Sequence, residues 1–103
     1  MDLKEGAMNK LTDAEIAAAV AQAPGWTVVN AKLHREYKFS DFAHAFGFMA
    51  TAAPLIEKMG HHPEWANVYN RVAVDLTTHD AGGVTQKDVD LAALLEKIAK
   101  KLA

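Results

Sequence analysis

"ANVYNRVAVDLTTH", residues 66–79, decides the architecture of this chain. Two short runs, "ANVYN" and "VAVDLTTH", flank Asn70-Arg71, and strands joined over so few residues run antiparallel. Asn70-Arg71 is the expected hairpin turn, although Asn-Gly would signal one more strongly. In the second run Val72, Val74 and Leu76 point to one face of a sheet. Ala73, Asp75, Thr77 and His79 point to the other, so His79 is expected at the end of this strand. Such alternation describes a sheet with one covered and one open face.

Upstream, "WTVVN" and "LHREYKF" form a second pair of strands, rich in β-branched and aromatic residues. A turn around Asn30, Ala31 and Lys32 makes them a hairpin. Leu33, Tyr37 and Phe39 share one face; His34, Glu36 and Lys38 share the other. Three helices accompany these strands. The first opens at "LTDAEI", where Thr12 and Glu15 make a capping box and Leu11 and Ile16 a hydrophobic staple. It ends at Pro24-Gly25. The second is expected from Ser40, as N-cap, to about Met59, with a kink at Pro54. It carries two apolar stripes, Phe42/Phe46/Met49/Ala53/Ile56 and Phe48/Ala52/Leu55/Met59. One stripe covers a sheet; a second suggests contact with another subunit. The third is capped by Thr85 with Asp88 in the capping-box position, and buries Leu91, Leu95, Ile98 and Leu102. Lys97, Lys100 and Lys101 suit the negative end of its dipole. The expected fold is α+β, in the order α-β-β-α-β-β-α. It has a four-stranded, mainly antiparallel sheet with helices packed on one face.

With 103 residues the chain is expected to form one domain, residues 11–103, behind an N-terminal tail, residues 1–10. Met8 could serve as an alternative start. The net charge of −2 offers no electrostatic footprint for nucleic acid or an anionic membrane. There is no cysteine, which removes disulfides, thiol nucleophiles and thiolate metal sites. No apolar run reaches the length of a membrane span, and "MDLKEGAMNK" has no apolar core of a signal peptide, so the cytoplasm is the expected compartment.

The chemistry-bearing residues cluster around "EKMGHHPEW", residues 57–65. His61 and His62 follow a helix end, and Pro63 fixes the backbone behind them. If the second hairpin closes, the end of its last strand returns beside its start, which brings His79 near the pair. Glu57 lies one helical turn before His61 on the same side. Blander explanations compete. Exposed histidines are commonly just solvated, as expected for His34 and His44. The Glu57–His61 spacing also suits an ordinary helix pair. Three histidines and a glutamate could ligate zinc, but adjacent His61 and His62 cannot easily aim at one ion and no HExxH spacing appears. Trp26 and Trp65 suit core or edge positions; Trp65 could also border a planar ligand. Asp88 is sufficiently explained as a cap.

The segment "EKMGHHPEWANVYNRVAVDLTTHDAGGVTQKDVDLA", residues 57–92, closely resembles the pterin-4a-carbinolamine dehydratases. The E-x-x-x-H-H-P-E-W pattern, the "NVYN" hairpin and "TH" followed by a small-residue loop and "KD" agree in order and spacing. "HAFGFMA" and the early "GW" extend the similarity over nearly the whole chain from Leu11. Gly60 departs from it, standing where an acidic residue is common.

The resemblance implies a hydro-lyase that dehydrates 4a-hydroxytetrahydropterin to quinonoid dihydropterin. It thereby recycles the pterin of aromatic amino-acid hydroxylases, with functional coupling to phenylalanine hydroxylase. It implies His61, His62 and His79 as the catalytic set. His61 and His79 would be acid and base, and His62 would also bind the substrate beside Trp65, Thr77 and Thr78. Glu57 would orient or charge-stabilise an imidazole, and Asp88 would support His79 while capping its helix. Histidine suits the work because its proton exchanges near neutrality. No metal or cofactor is implied, the pterin being the substrate. A homodimer or homotetramer is expected, with neither nucleic acid nor membrane as partner. The alternative is a non-enzymatic dimerisation module acting through the second helix.

Overall fold

The computed structural model describes residues 9–102. Its elements are α1 (Asp13–Ala21), β1 (Thr27–Val29), β2 (Lys32–Lys38), α2 (Phe42–Met59), β3 (Glu64–Val68), β4 (Arg71–Leu76), a 3-10 turn (His79–Ala81) and α3 (Gln86–Leu102). This is the α+β order expected from the sequence. Most of the expected tail, residues 1–10, lies outside the described residues.

Local chemistry accounts for the element ends. Thr12 and Glu15 form the capping box of α1 in both directions. β1 and β2 meet through Asn30 and Ala31, both with positive φ (53° and 62°), as a two-residue turn that follows the twist of its strands requires. Two expected positions shift by one residue. Asp41, not Ser40, caps α2, because Asp41 has the extended backbone and its carboxylate accepts from the His44 N–H. The second hairpin turns at Tyr69-Asn70, not Asn70-Arg71, since Val68 pairs with Arg71. Amide side chains hold that turn. Asn67 Nδ2 donates to the Tyr69 and Arg71 carbonyls at 3.0 and 2.8 Å, and Asn70 Nδ2 donates to the Phe39 carbonyl at 3.0 Å. Tyr69 accepts φ 51° as a result, a conformation uncommon outside glycine and asparagine.

The four strands are antiparallel in the order β1-β2-β4-β3. The two hairpins are thus joined edge to edge through β2 and β4. Leu33 and Tyr37 of β2 and Val72, Val74 and Leu76 of β4 face the helices and are buried. α2 buries Ala45, Phe48, Ala52 and Ile56; α3 buries Leu91, Ala92, Leu95, Ile98 and Ala99. Phe48 is the hub of the core, with ring centroids 5.0 Å from Tyr37, 5.2 Å from Phe39 and 6.3 Å from Trp65. Alanines at 45 and 52 let α2 settle close to the sheet around it. The two expected stripes do not stay separate: Ile56 of the first joins Phe48 and Ala52 of the second in the core, while Phe42 and Phe46 of the first and Leu55 of the second are about half exposed. α2 continues as one helix through Pro54.

A polar knot fastens the first hairpin to α3. The Glu96 carboxylate accepts from Tyr37 Oη at 2.8 Å, Trp26 Nε1 at 3.3 Å and Arg35 Nε at 3.4 Å. Burial works to raise the Glu96 carboxyl, but the donors and the Arg35 charge outweigh it and hold it below its ordinary value.

Candidate active site

α2 ends on Gly60, whose left-handed backbone (φ 72°) lets its N–H bond the carbonyls of Ile56 and Glu57. The chain leaves the helix there, so the four-residue phase between Glu57 and His61 is lost. The expected Glu57–His61 pair does not form. Glu57 Oε1 instead lies 3.0 Å from His62 Nε2, an exposed contact. His61 is turned inward, to 11% side-chain exposure against 63% for His62.

Inside, His61 Nε2 lies 2.6 Å from Asp88 Oδ1. Asp88 comes from the first turn of α3 and is fully buried. Its second oxygen, Oδ2, accepts from the Thr85 N–H and from Thr78 Oγ1, both at 2.8 Å. It therefore caps α3 as the sequence suggests, but the imidazole it supports is His61, not His79. Every buried side-chain nitrogen and oxygen among the described residues has a partner, so the His61–Asp88 pair is fully compensated inside the protein.

His79 is not at a strand end. β4 stops at Leu76, and His79 opens the 3-10 turn, 77% exposed. The turn is wound on the Thr78 carbonyl, which accepts the N–H groups of Ala81, Gly82 and Gly83. His79 Nε2 meets Glu64 Oε2 at 3.0 Å, while Glu64 Oε1 meets Lys32 Nζ at 2.6 Å. The Lys32 hydrogen bond, with a smaller contribution from His79, holds the Glu64 carboxyl below its ordinary value. Thr78, adjacent to His79 in the chain and bonded to Asp88, links the two histidine settings. Thr77 is half-buried, whereas Thr78 is 4% exposed with its hydroxyl engaged. Trp65 is partly buried, edge-on to Phe48.

Each of the three histidines thus has its own carboxylate, and two polar partners escaped the sequence reading. Glu64 stood inside the quoted H-H-P-E-W pattern. Its antiparallel pairing with Asp75 at the mouth of the second hairpin explains its reach toward the 3-10 turn. Thr85 gave no signal beyond its cap. Among the described residues no three histidine or acidic side chains converge as a metal site. A cavity of about 760 Å³ lies elsewhere, between α1 and α3, lined by Val20, Trp26, Val89 and Lys97 among others and by none of the expected site residues.

Fold and geometry together define an α+β domain carrying a histidine–carboxylate site. Residues 9–98 match the family model described as pterin 4 alpha carbinolamine dehydratase. A Solibacter usitatus protein bearing the name pterin-4-alpha-carbinolamine dehydratase is 63% identical over 88% of this chain and 96% of its own length. A crystal structure described as a transcriptional coactivator/pterin dehydratase from Brucella melitensis superposes with a TM-score of 0.85. It is 47% identical, over 88% of this chain and 99% of that one. A pterin dehydratase-like protein described as a RuBisCO assembly factor in the alpha-carboxysome shares the fold at a TM-score of 0.59. At 21% identity, over 72% of this chain and 86% of that one, it shows the fold alone. The chain belongs to the pterin 4 alpha carbinolamine dehydratase family, and its class is that of the hydro-lyases. No helix among the described residues is long and apolar enough to cross a membrane.

Proposed function

We propose that this protein dehydrates 4a-hydroxytetrahydropterin to quinonoid dihydropterin by histidine acid–base catalysis. The substrate is a cyclic hemiaminal. A proton is delivered to the 4a-hydroxyl, the C4a–O bond breaks to release water, and N5 loses its proton as the C4a–N5 double bond forms. Two groups able to hold and release protons near neutrality meet both demands. The observation that carries this reading is the inward-turned His61 on a buried carboxylate, a setting that fixes one imidazole rigidly at a helix end. The names of the relatives support the substrate class.

His61 and His79 share the acid and base roles. His62 binds the pterin, with Glu57 orienting its ring. Trp65 and Thr77 border the substrate; Thr78 supports from behind. Glu64 orients His79. Protons are the only species transferred besides water, so the reaction needs no redox cofactor, and the proposal assigns its acid and base to imidazoles and not to a metal. Recycling of the tetrahydropterin used by aromatic amino-acid hydroxylases, in the cytoplasm, is the cellular role that follows.

The test couples a phenylalanine hydroxylase, which generates the carbinolamine, to this protein and follows the quinonoid product. Acceleration over the spontaneous dehydration is expected. His61→Ala and His79→Ala should each lower kcat/KM by about 10²–10⁴ while the fold survives, the range a positioned acid or base supplies. Wild-type rates in both variants would remove the assignment.

A second reading rests on the half-exposed Phe42, Phe46 and Leu55 of α2. Their side chains suit self-association into a dimer or tetramer, or docking of another protein. Light scattering on the pure protein separates a monomer from an assembly. A pull-down with a His61→Ala variant separates binding from catalysis.

A further inference from the structure

Behind His61 runs a line of hydrogen bonds whose directions can be worked out atom by atom. Lys87 N–H donates to Thr85 Oγ1 at 3.2 Å. Thr85 Oγ1 and Thr78 Oγ1 are 2.8 Å apart, and Thr78 Oγ1 donates to Asp88 Oδ2 at 2.8 Å. Asp88 Oδ2 also accepts the Thr85 N–H at 2.8 Å, and Asp88 Oδ1 faces His61 Nε2 at 2.6 Å. Thr85 and Asp88 are fully buried and Thr78 nearly so, so bulk water cannot exchange for any partner.

A backbone N–H can only donate, so Lys87 occupies a lone pair of Thr85 Oγ1 and the Thr85 N–H occupies one on Asp88 Oδ2. The single Thr78 proton goes to Asp88, which leaves the Thr85 hydroxyl proton to satisfy Thr78. Reversing the threonine pair would set the lone pairs of Thr78 Oγ1 against those of Asp88 Oδ2. The line therefore reads one way, from Lys87 through Thr85 and Thr78 to Asp88. With Oδ2 accepting twice, no proton resides on it. The same carboxylate, with Oδ2 accepting twice, is an acceptor at Oδ1 as well, so the proton on the remaining contact sits on His61 Nε2. His61 Nδ1 makes no hydrogen bond to the described residues.

We infer that Thr78 and Thr85 are positioning residues that lock His61 as its Nε2–H tautomer and leave Nδ1 as its reacting nitrogen. The inference rests on the proposed acid–base role of His61 for its catalytic meaning, but the tautomer stands or falls without any turnover. In that role the Nδ1 lone pair removes or relays the substrate proton. Asp88 then holds the imidazolium that forms, without taking its proton.

The test is a long-range ¹H–¹⁵N spectrum of uniformly labelled full-length protein, recorded over a pH series until the His61 signals reach their alkaline plateau. His61, assigned by comparison with His61→Gln, should show the Nε2–H pattern. An Nδ1–H pattern in the wild type would overturn the inference outright. In Thr78→Val, which keeps the shape and deletes the hydroxyl, the pattern should broaden toward a mixture of tautomers. The value of kcat should drop about tenfold, short of the ~10²–10⁴ for losing the base itself, with KM within about twofold. Thr78→Ser should restore both. An unchanged His61 pattern in folded Thr78→Val would also overturn the inference. The expected spectra from a protein inactive in the coupled assay would instead sink the proposed activity and leave the proton line intact.

Discussion

At the N-terminal end of α2, His44 Nδ1 lies 2.6 Å from Asp41 Oδ1; just past its C-terminal end, His61 Nε2 lies 2.6 Å from Asp88 Oδ1. Residue types and distance are the same. The first pair is three residues apart in sequence and about half exposed on both sides. The second spans 27 residues and joins an inward-turned ring to a carboxylate with no exposure. Water and salt screen the first, and its side chains can part at little cost. The second cannot part without stranding a buried charge. Short distance alone does not mark a site. Burial, long sequence separation and a satisfied second row of partners do.

The largest test of that contrast is Asp88→Asn. The introduced amide can keep its oxygen toward Thr78 and Thr85, which turns its NH₂ toward His61 Nε2 and forces the opposite tautomer. The corresponding change behind the catalytic histidine of serine proteases lowers kcat by about 10⁴. A loss of about 10³–10⁴ in kcat is expected here, measured in the coupled assay at neutral pH. Near-normal turnover would erase the distinction between the two ends.

A middle-sized effect sits at Gly60. Its φ of 72° is a left-handed conformation, and a Cβ built there meets no atom within 4 Å. Gly60→Ala therefore costs conformational strain and nothing steric, roughly 1–2 kcal/mol. Gly60→Asn should cost less, since asparagine tolerates that region. Denaturant midpoints give both values, and equal stability of all three proteins would deny that the helix must break its phase there.

The smallest effects belong to the exposed pair. The His44 ring, and then its backbone N–H, hold the Asp41 carboxyl below its ordinary 3.8. A depressed carboxyl adds stability above the unfolded value and loses it as pH falls through the folded one. Stability profiles of wild type and Asp41→Asn should therefore differ slightly above pH 3.8 and converge below it. Activity of this variant should stay within about twofold, as for surface changes away from any site. A loss comparable to that of Asp88→Asn would break the comparison from the other side.

Much of the fold was written in local pattern. The Thr12–Glu15 box, the Asn30-Ala31 turn, the inward sets Leu33/Tyr37 and Val72/Val74/Leu76, and the end of α2 at Met59 all follow from short-range chemistry. The misplacements are where two neighbours offer the same chemistry. Ser40 and Asp41 can both cap, and backbone dihedrals choose. Asn70 can occupy either turn position, and side-chain bonds from Asn67 and Asn70 choose. At the site, the histidines were legible but their partners were not. Glu57 failed to reach His61 because a helical spacing holds only while the helix lasts. Asp88 reached it because α3 returns across the end of α2, a tertiary fact that no spacing encodes.

The order β1-β2-β4-β3 also bears on how the molecule comes together in time. Each hairpin closes over two residues, so its own ladder pairs near neighbours in sequence. The central ladder does not: Leu33 must find Leu76, and Lys38 must find Arg71, across the whole of α2. Distant pairing of this kind slows the search for the native state. His34 Nδ1 and Asp75 Oδ1 meet on that seam at 2.8 Å, a side-chain contact that only the paired β2 and β4 can make. The members of the proton line, His61, Thr78, Thr85, Lys87 and Asp88, all lie beyond α2, so its contacts are made within the C-terminal part of the chain and none of them crosses the β2–β4 seam.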